Sequence, residues 1–289
     1  MSVRTAIAAA FAVAACLSSG GCGPAEPPEP AETADPRFAE AMAAIGADTN
    51  ILVISFDALR ADALGVYGYE LDTSPNIDDW AADAFVFDRF YVAAQATPTS
   101  FAAAFTGQWP FRVFRDWYLR DTQTLAEVMQ RSGRKTFAVI NNVQMVDERN
   151  FGQGFDDYRV LQVPPDRRIV DEAAEVLAAH RGQPFFGWVH FILPHTPYSP
   201  RPMAEHFYSP GYQGPYEKHS GRNPDPPTEA DARRLRELYD GEVFFADFLF
   251  DALLARLDAL GLSDDTLVIL TSDHGDQFGE KGGYGHKVV

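Results

Sequence analysis

The sequence predicts an α/β fold in which a mostly parallel sheet is covered by helices on both faces. Three observations predict it. Short apolar, β-branched runs recur along the chain, each too short for a helix. Segments of helical period fall between them, the order that gives crossover connections and a parallel sheet. No internal repeat points to a solenoid or propeller instead.

The folded part is expected to begin near Thr49. "NILVISF" reads as a buried strand. "SPNIDDWAADA" reads as a helix with Ser74 as its cap and Pro75 at the first position. "FVFDRFYVA" alternates enough to read as a strand. "QATPTSFAAAFTGQWP" enters a small-residue helix that stops at Thr106-Gly107, with three hydroxyls, Thr97, Thr99 and Ser100, at its start. Hydroxyls there serve either as caps of the first turn or as a nucleophile held at the positive end of a helix. "TQTLAEVMQRSG" is a helix closed by Gly133. "KTFAVI" is a strand, "DRRIVDEAAEVLAAHRG" a helix and "PFFGWVHFIL" a strand. Residues 194–227, rich in Pro, Gly, His and Tyr, form a long loop, and long loops in compact domains are usually functional. "EADARRLRELYDGEVFFADFLFDALLARLDALG" is a long amphipathic helix, and "TLVILTSD" a last buried strand.

Composition narrows the function. The 289 residues, 46% hydrophobic with 22 Phe, suffice for one large domain with a sizeable core. A formal charge of −17 argues against a nucleic-acid partner. It also repels an anionic substrate, so an anion site needs a local positive centre, which a metal supplies. The only two cysteines, Cys16 and Cys22, lie near the N-terminus, so the body holds no disulfide framework or Cys-rich zinc site. "MSVRTAIAAAFAVAACLSSGGCG" has one Arg, an apolar run too short to span a bilayer, and small residues before Cys. Residues 1–22 thus read as a lipoprotein-type signal peptide with Cys22 acylated. "VAAC" makes Cys16 the alternative, and a plain secretory signal is the other reading. Residues 23–48, Pro- and Glu-rich, read as a tether, and 49–289 as the catalytic domain. The expected location is the bacterial cell envelope, with the membrane reached by the lipid anchor alone.

In parallel sheets the ligand crevice lies at the carboxyl ends of the strands. Asp57 follows "NILVISF", the Thr97 stretch follows "FYVAA", His195 follows "HFILP", and Asp273 and His274 follow "TLVILTS", with His286 further on. Each alone suits a turn or cap. Together they bring carboxylates, a hydroxyl and imidazoles to one edge, a donor set for a divalent cation. Such a cation activates a hydroxyl and absorbs charge on the oxygens of a transferring phosphoryl or sulfuryl group.

"NILVISFDALRADALGVYGY", "ATPTSFAAAFTGQWP", "FFGWVHFILPHTPYSP" and "TLVILTSDHGDQFGE…GYGH" resemble successive blocks of the sulfatase family, within the alkaline phosphatase superfamily. The resemblance runs from about Asn50 to the last residue. It implies an alkaline-phosphatase-like three-layer sandwich whose C-terminal part lies beyond this sequence. It also implies metal binding by Asp57, Asp273 and His274, and puts Thr97 at the nucleophile position, nine residues before Thr106. His195 and His286 are implied to contact substrate, protonate the leaving group or hold a second metal. The sequence departs from sulfatases proper in three places. Their C/S-x-P-x-R motif, oxidised to formylglycine, is "TPTSF" here, and Thr cannot become that aldehyde. Phe101 replaces the motif's Arg. Ala58 stands where a second Asp often follows the first. His rather than Asn at position 274 favours zinc or manganese over calcium.

The leading expectation is a metal-dependent hydrolase of anionic esters, a phosphodiesterase or phosphonate monoester hydrolase type, favouring phosphoryl over sulfate esters. The alternatives are a phosphoethanolamine- or glycerol-phosphate-type transferase and a non-catalytic lipoprotein that binds envelope ligands.

Overall fold

A computed structural model describes residues 6–7, 36–162, 167–217, 227–280 and 282–286. In chain order its elements are β1 (Ala6–Ile7), α1 (Pro36–Ala44), β2 (Asn50–Asp57), α2 (Pro75–Ala81), β3 (Ala84–Phe85), α3 (Thr97–Thr106), α4 (Pro110–Val113), β4 (Phe114–Arg115), β5 (Tyr118–Leu119), α5 (Leu125–Arg131), β6 (Lys135–Ile140), β7 (Asp157–Val160), α6 (Arg167–Ala179), β8 (Phe185–Pro194), α7 (Glu229–Ala259), β9 (Thr266–Ser272), β10 (Gln277–Phe278) and β11 (Tyr284–Gly285). The main sheet has the order β3-β1-β9-β2-β8-β6-β7, and every pairing in it is parallel.

The buried strands carry apolar side chains on both faces because both are covered. Leu52, Ile54 and Phe56 of β2 join the core under α6 and α7, with Val243, Leu249, Phe250 and Leu253. Ile51 and Val53 join the opposite core, with Phe101 and Phe105 of α3 and Ala126 of α5. Trp188 anchors that second face, its ring 4.8 Å from Phe101 and 4.6 Å from Phe105. This is the expected three-layer arrangement. Gly187 is required in β8 because a Cβ there would lie 2.3 Å from the Phe137 ring.

Three local expectations differ. Of "FVFDRFYVA" only Phe85 is in a strand, the two-residue Ala84–Phe85, since the rest pairs with no neighbour among the described residues. Helix α1 falls within the expected tether, and Phe38 packs edge-on against Phe85 and Phe87. Phe38, partly buried against the core, supplies an apolar contact that the Pro and Glu content conceals. Ser74 precedes α2, with Pro75 at the first position, but its hydroxyl bonds Asp78 and accepts the Gly65 N–H rather than a helix N–H. Of the expected signal peptide only Ala6–Ile7 is described, as β1 of the main sheet, and of the tether only residues 36–48; Cys16 and Cys22 lie outside the described residues. No helix among the described residues is long and apolar enough to cross a membrane.

Candidate active site and metal centre

Asp57 is the last residue of β2, and Asp273 and His274 immediately follow its neighbour β9. All three are buried, and one ligand atom from each lies within 4.8 Å of the others. His274 Nε2 is 3.5 Å from both Asp57 Oδ1 and Asp273 Oδ2. Thr97, the first residue of α3, donates its hydroxyl to Asp57 Oδ2 at 3.1 Å and sits 3.3 Å from His274 Nε2. Four residues from three separate stretches of the sequence therefore meet at one point.

Neighbouring groups fix their orientation. Ala58 takes a positive φ of 62°, rare for a residue with a Cβ. That turn aims its N–H at Asp273 Oδ1 (3.0 Å), which also accepts from the His274 N–H (2.9 Å). Asn142, just past β6, donates to Asp57 Oδ2 at 2.8 Å. Ser100 donates its hydroxyl to the Asp273 carbonyl at 2.6 Å and locks α3 to the end of β9. Thr99 instead donates back to the Ala96 carbonyl. Neither hydroxyl caps the helix, contrary to the capping expectation, because both find carbonyls rather than free N–H groups.

His190 stands behind Asp57 in the middle of β8. The Trp188 indole N–H donates to Ser55 Oγ at 2.8 Å, and Ser55 Oγ is 2.9 Å from His190 Nδ1. Ser55 Oγ thus bridges the indole and the imidazole. His190 Nε2 faces Asp57 Oδ2 at 3.5 Å, a contact longer than a hydrogen bond.

The carboxylates respond oppositely. Burial pushes the Asp57 carboxyl up, but His190 and the imidazoles of His195 and His274 outweigh it and hold it at about 2. Burial, then the charge of Asp57, raises Asp273 to about 7. Burial lowers His274 and keeps it neutral, the form that ligates a cation. Asp57 Oδ1 and Asp273 Oδ2 are buried with no hydrogen-bond partner among the described residues. Two unpaired carboxylate oxygens facing one neutral imidazole nitrogen are costly unless something positive lies between them. The donor set thus fits a divalent cation.

His195 and His286 complete the rim. The His286 ring lies 4.4 Å from that of His274 and 4.7 Å from that of His195. His286 Nδ1 pairs with buried Asp276 at 2.7 Å, and this bond holds the imidazole above its usual range. Tyr198 donates to the other Asp276 oxygen, and Arg60 to its backbone carbonyl at 2.6 Å. His274, Asp276 and His286 form a second group able to hold an ion.

The sequence reading missed Asn142, His190, Asp276 and Tyr198. Two left signals. His190 breaks the apolar run of β8, and Asp276 sits two residues past His274.

The family model described as Sulfatase matches residues 49–288. The chain belongs to the sulfatase family. It is 26% identical over 268 residues to an ulvan-active sulfatase of Formosa agariphila, covering 80% of this chain and 51% of that protein. It is 34% identical over 138 residues to the steryl-sulfatase of Mus musculus, covering 46% of this chain and 18% of that one. The sulfatase-family chain therefore spans about half or less of the length of these relatives. Among solved structures it resembles the phosphonate monoester hydrolase of Agrobacterium radiobacter, with a TM-score of 0.67, 19% identity, and coverage of 83% of this chain and 66% of that one. The periplasmic domain of EptC from Escherichia coli, in complex with Zn, gives a TM-score of 0.63 at 17% identity, covering 83% and 68%. These likenesses establish the α/β fold with its mostly parallel sheet.

Proposed function

We propose that this sulfatase-family protein is an exported, metal-dependent ester hydrolase with Thr97 as its nucleophile and a preference for phosphoryl over sulfate esters. The observation that carries this reading is the Thr97 hydroxyl, buried at the start of α3 and within 3.3 Å of both Asp57 and His274. Asp57, Asp273, His274 and Thr97 would hold the cation. When bound, it lowers the pKa of the Thr97 hydroxyl and draws charge from the oxygens of the transferring group. Nitrogen from His274 and few carboxylates favour zinc or manganese over calcium, which takes six to eight oxygens.

Thr97 Oγ releases its proton to solvent and attacks phosphorus, with the N-terminus of α3 facing the anion. The bond to the leaving oxygen breaks, and His286 or His195 supplies that oxygen with a proton. Water then attacks the phosphothreonine and restores Thr97. A sulfate on an unmodified alcohol lacks the elimination route of an aldehyde hydrate, hence the phosphoryl preference. An apolar cleft of about 540 Å³, bordered by Leu64, Ile77, Trp80 and Tyr91, reaches His274 and gives room for the organic part of the ester. An acceptor alcohol in place of water makes the same site a transferase. Export rests on the signal-like leader, with Cys22 as the acylated residue.

The test is metal analysis with a panel of aryl phosphate, phosphodiester, phosphonate and sulfate esters. Thr97→Ala is expected to lose at least two decades of turnover, about 2.7 kcal/mol, while keeping the metal. Normal rates in that variant, or a strong preference for sulfate esters, refute the proposal. Tight binding of esters with no turnover would favour the non-catalytic reading.

A further inference from the structure

Beyond the end of α3 the chain folds into α4 and the hairpin β4-β5. Four aromatic residues there are exposed: Trp109 (47%), Phe111 (77%), Trp117 (52%) and Tyr118 (54%). Residues 109–120 also carry Arg112, Arg115 and Arg120 against the single carboxylate of Asp116. Elsewhere the balance is reversed, with 41 acidic residues against 24 Lys and Arg in the whole chain. Arg112 and Arg120 pair with no carboxylate among the described residues, and Arg115 meets only its neighbour Asp116 at 3.5 Å.

The hairpin tip is strained. Arg115 pairs with Tyr118, so Asp116 and Trp117 form a two-residue turn, and both have positive φ, 54° and 66°. That turn favours Asn-Gly, and a bulky ring in the left-handed region is an outlier. Strain of this kind is held where it serves a function. Here it presents Trp117, backed on one side by the Arg149 guanidinium at 5.4 Å.

We infer that this aromatic and basic hairpin is a docking surface for a bilayer rich in anionic phospholipid. Trp and Tyr partition to the boundary between headgroups and hydrocarbon, and arginines are drawn to anionic headgroups. Phe111, the most exposed of the four, has no hydrogen bond to offer a sugar hydroxyl, which favours lipid over glycan. Charge complementarity makes the contact selective, because the rest of this acidic chain is repelled by the same membrane. The inference stands apart from the hydrolase reading, since it uses none of that site's residues.

The test is cosedimentation of the full chain with unilamellar vesicles of phosphatidylglycerol and phosphatidylcholine in equal parts, or of phosphatidylcholine alone. Residues 1–48 are unchanged in every variant and contribute equally. The double variant Arg112→Glu/Arg115→Glu is expected to bind the anionic vesicles at least about tenfold more weakly, from the worth of each basic residue near such a surface. The difference shrinks at high salt. Trp117→Gly is expected to keep its thermal midpoint, relieved of strain, while vesicle binding falls. Equal binding by the wild type and the double variant overturns the inference. So does a lowered midpoint with unchanged binding in Trp117→Gly. Loss of retention on a sulfated polysaccharide, with vesicle binding intact, overturns it too and assigns the hairpin to glycans.

Discussion

Replacing Asp273 with Asn should make the metal-free protein more stable while abolishing its response to metal. Asp273 Oδ1 accepts the Ala58 and His274 N–H groups, and an amide oxygen in its place keeps both bonds. Oδ2 has no hydrogen-bond partner among the described residues, and neither has Asp57 Oδ1. In Asp273→Asn an amide N–H₂ replaces Oδ2 and reaches towards that Asp57 oxygen, and the like-charge repulsion disappears. Each buried unpaired group costs about 1–3 kcal/mol, so relief of the two is worth about 3 kcal/mol. For a body of this size that raises the midpoint by about 6–12 °C. Zinc or manganese at a hundred times its dissociation constant adds about 2.7 kcal/mol to the wild type. It adds almost nothing to the variant. Thermal unfolding with chelator and with each metal reads both effects, and the order of stability should invert when metal is added. The pH dependence gives a second check. The Asp273 carboxyl is raised to about 7 in the fold, so the folded state holds its proton more tightly than the unfolded chain. Without metal, the wild type loses stability relative to Asp273→Asn as pH rises from about 4 through about 7. A variant that melts lower without metal, or that gains the wild-type increment from zinc, refutes the reasoning.

Two further outcomes follow from the same geometry. Ser100→Ala removes the 2.6 Å bond to the Asp273 carbonyl and should cost about 1 kcal/mol, with turnover falling as α3 loosens from β9, measured by unfolding and by rates on the same preparation. Asp276→Asn should bring the His286 imidazole down towards its usual range in an NMR titration of the metal-free protein; the pair's stability is present below that range and lost as pH rises through the raised value, so the variant should lose less stability across neutral pH.

The strands were legible because residues buried on both faces leave continuous apolar runs, and "NILVISF", "KTFAVI", "PFFGWVHFIL" and "TLVILTS" all lie in the main sheet. The residues at their ends were legible because a parallel sheet brings its carboxyl ends to one edge. Residues whose partners are set by register and loop path were not. Asn142 reaches Asp57 only because β6 and β2 flank β8. His190 meets Asp57 because the register sets it opposite Ser55, two residues before Asp57 on β2. Tyr198 and Asp276 are brought together by a loop whose course no periodicity reports. Composition misled at α1, where nine residues fold as a helix inside a Pro- and Glu-rich stretch.

Ala58 joins the acidic ends of β2 and β9. It is fully buried, its N–H holds Asp273, and its carbonyl accepts the Tyr239 hydroxyl at 2.8 Å. An Asp at this position would add a third buried carboxylate beside Asp57 and Asp273, where burial and then the charge of Asp57 already push Asp273 up in the absence of a cation. Only an ion that gathers many oxygens offsets such a density of charge. With Ala58 the site keeps two carboxylates, one neutral imidazole and one hydroxyl, a smaller and harder-to-expand donor set suited to a compact ion. The same reduction leaves Thr97 as the only hydroxyl in contact with both Asp57 and His274 among the described residues. Under the proposed function, Ala58 in place of a second Asp and Thr97 in place of an oxidisable nucleophile are coherent departures from the sulfatase pattern, both in keeping with phosphoryl chemistry on an unmodified side chain.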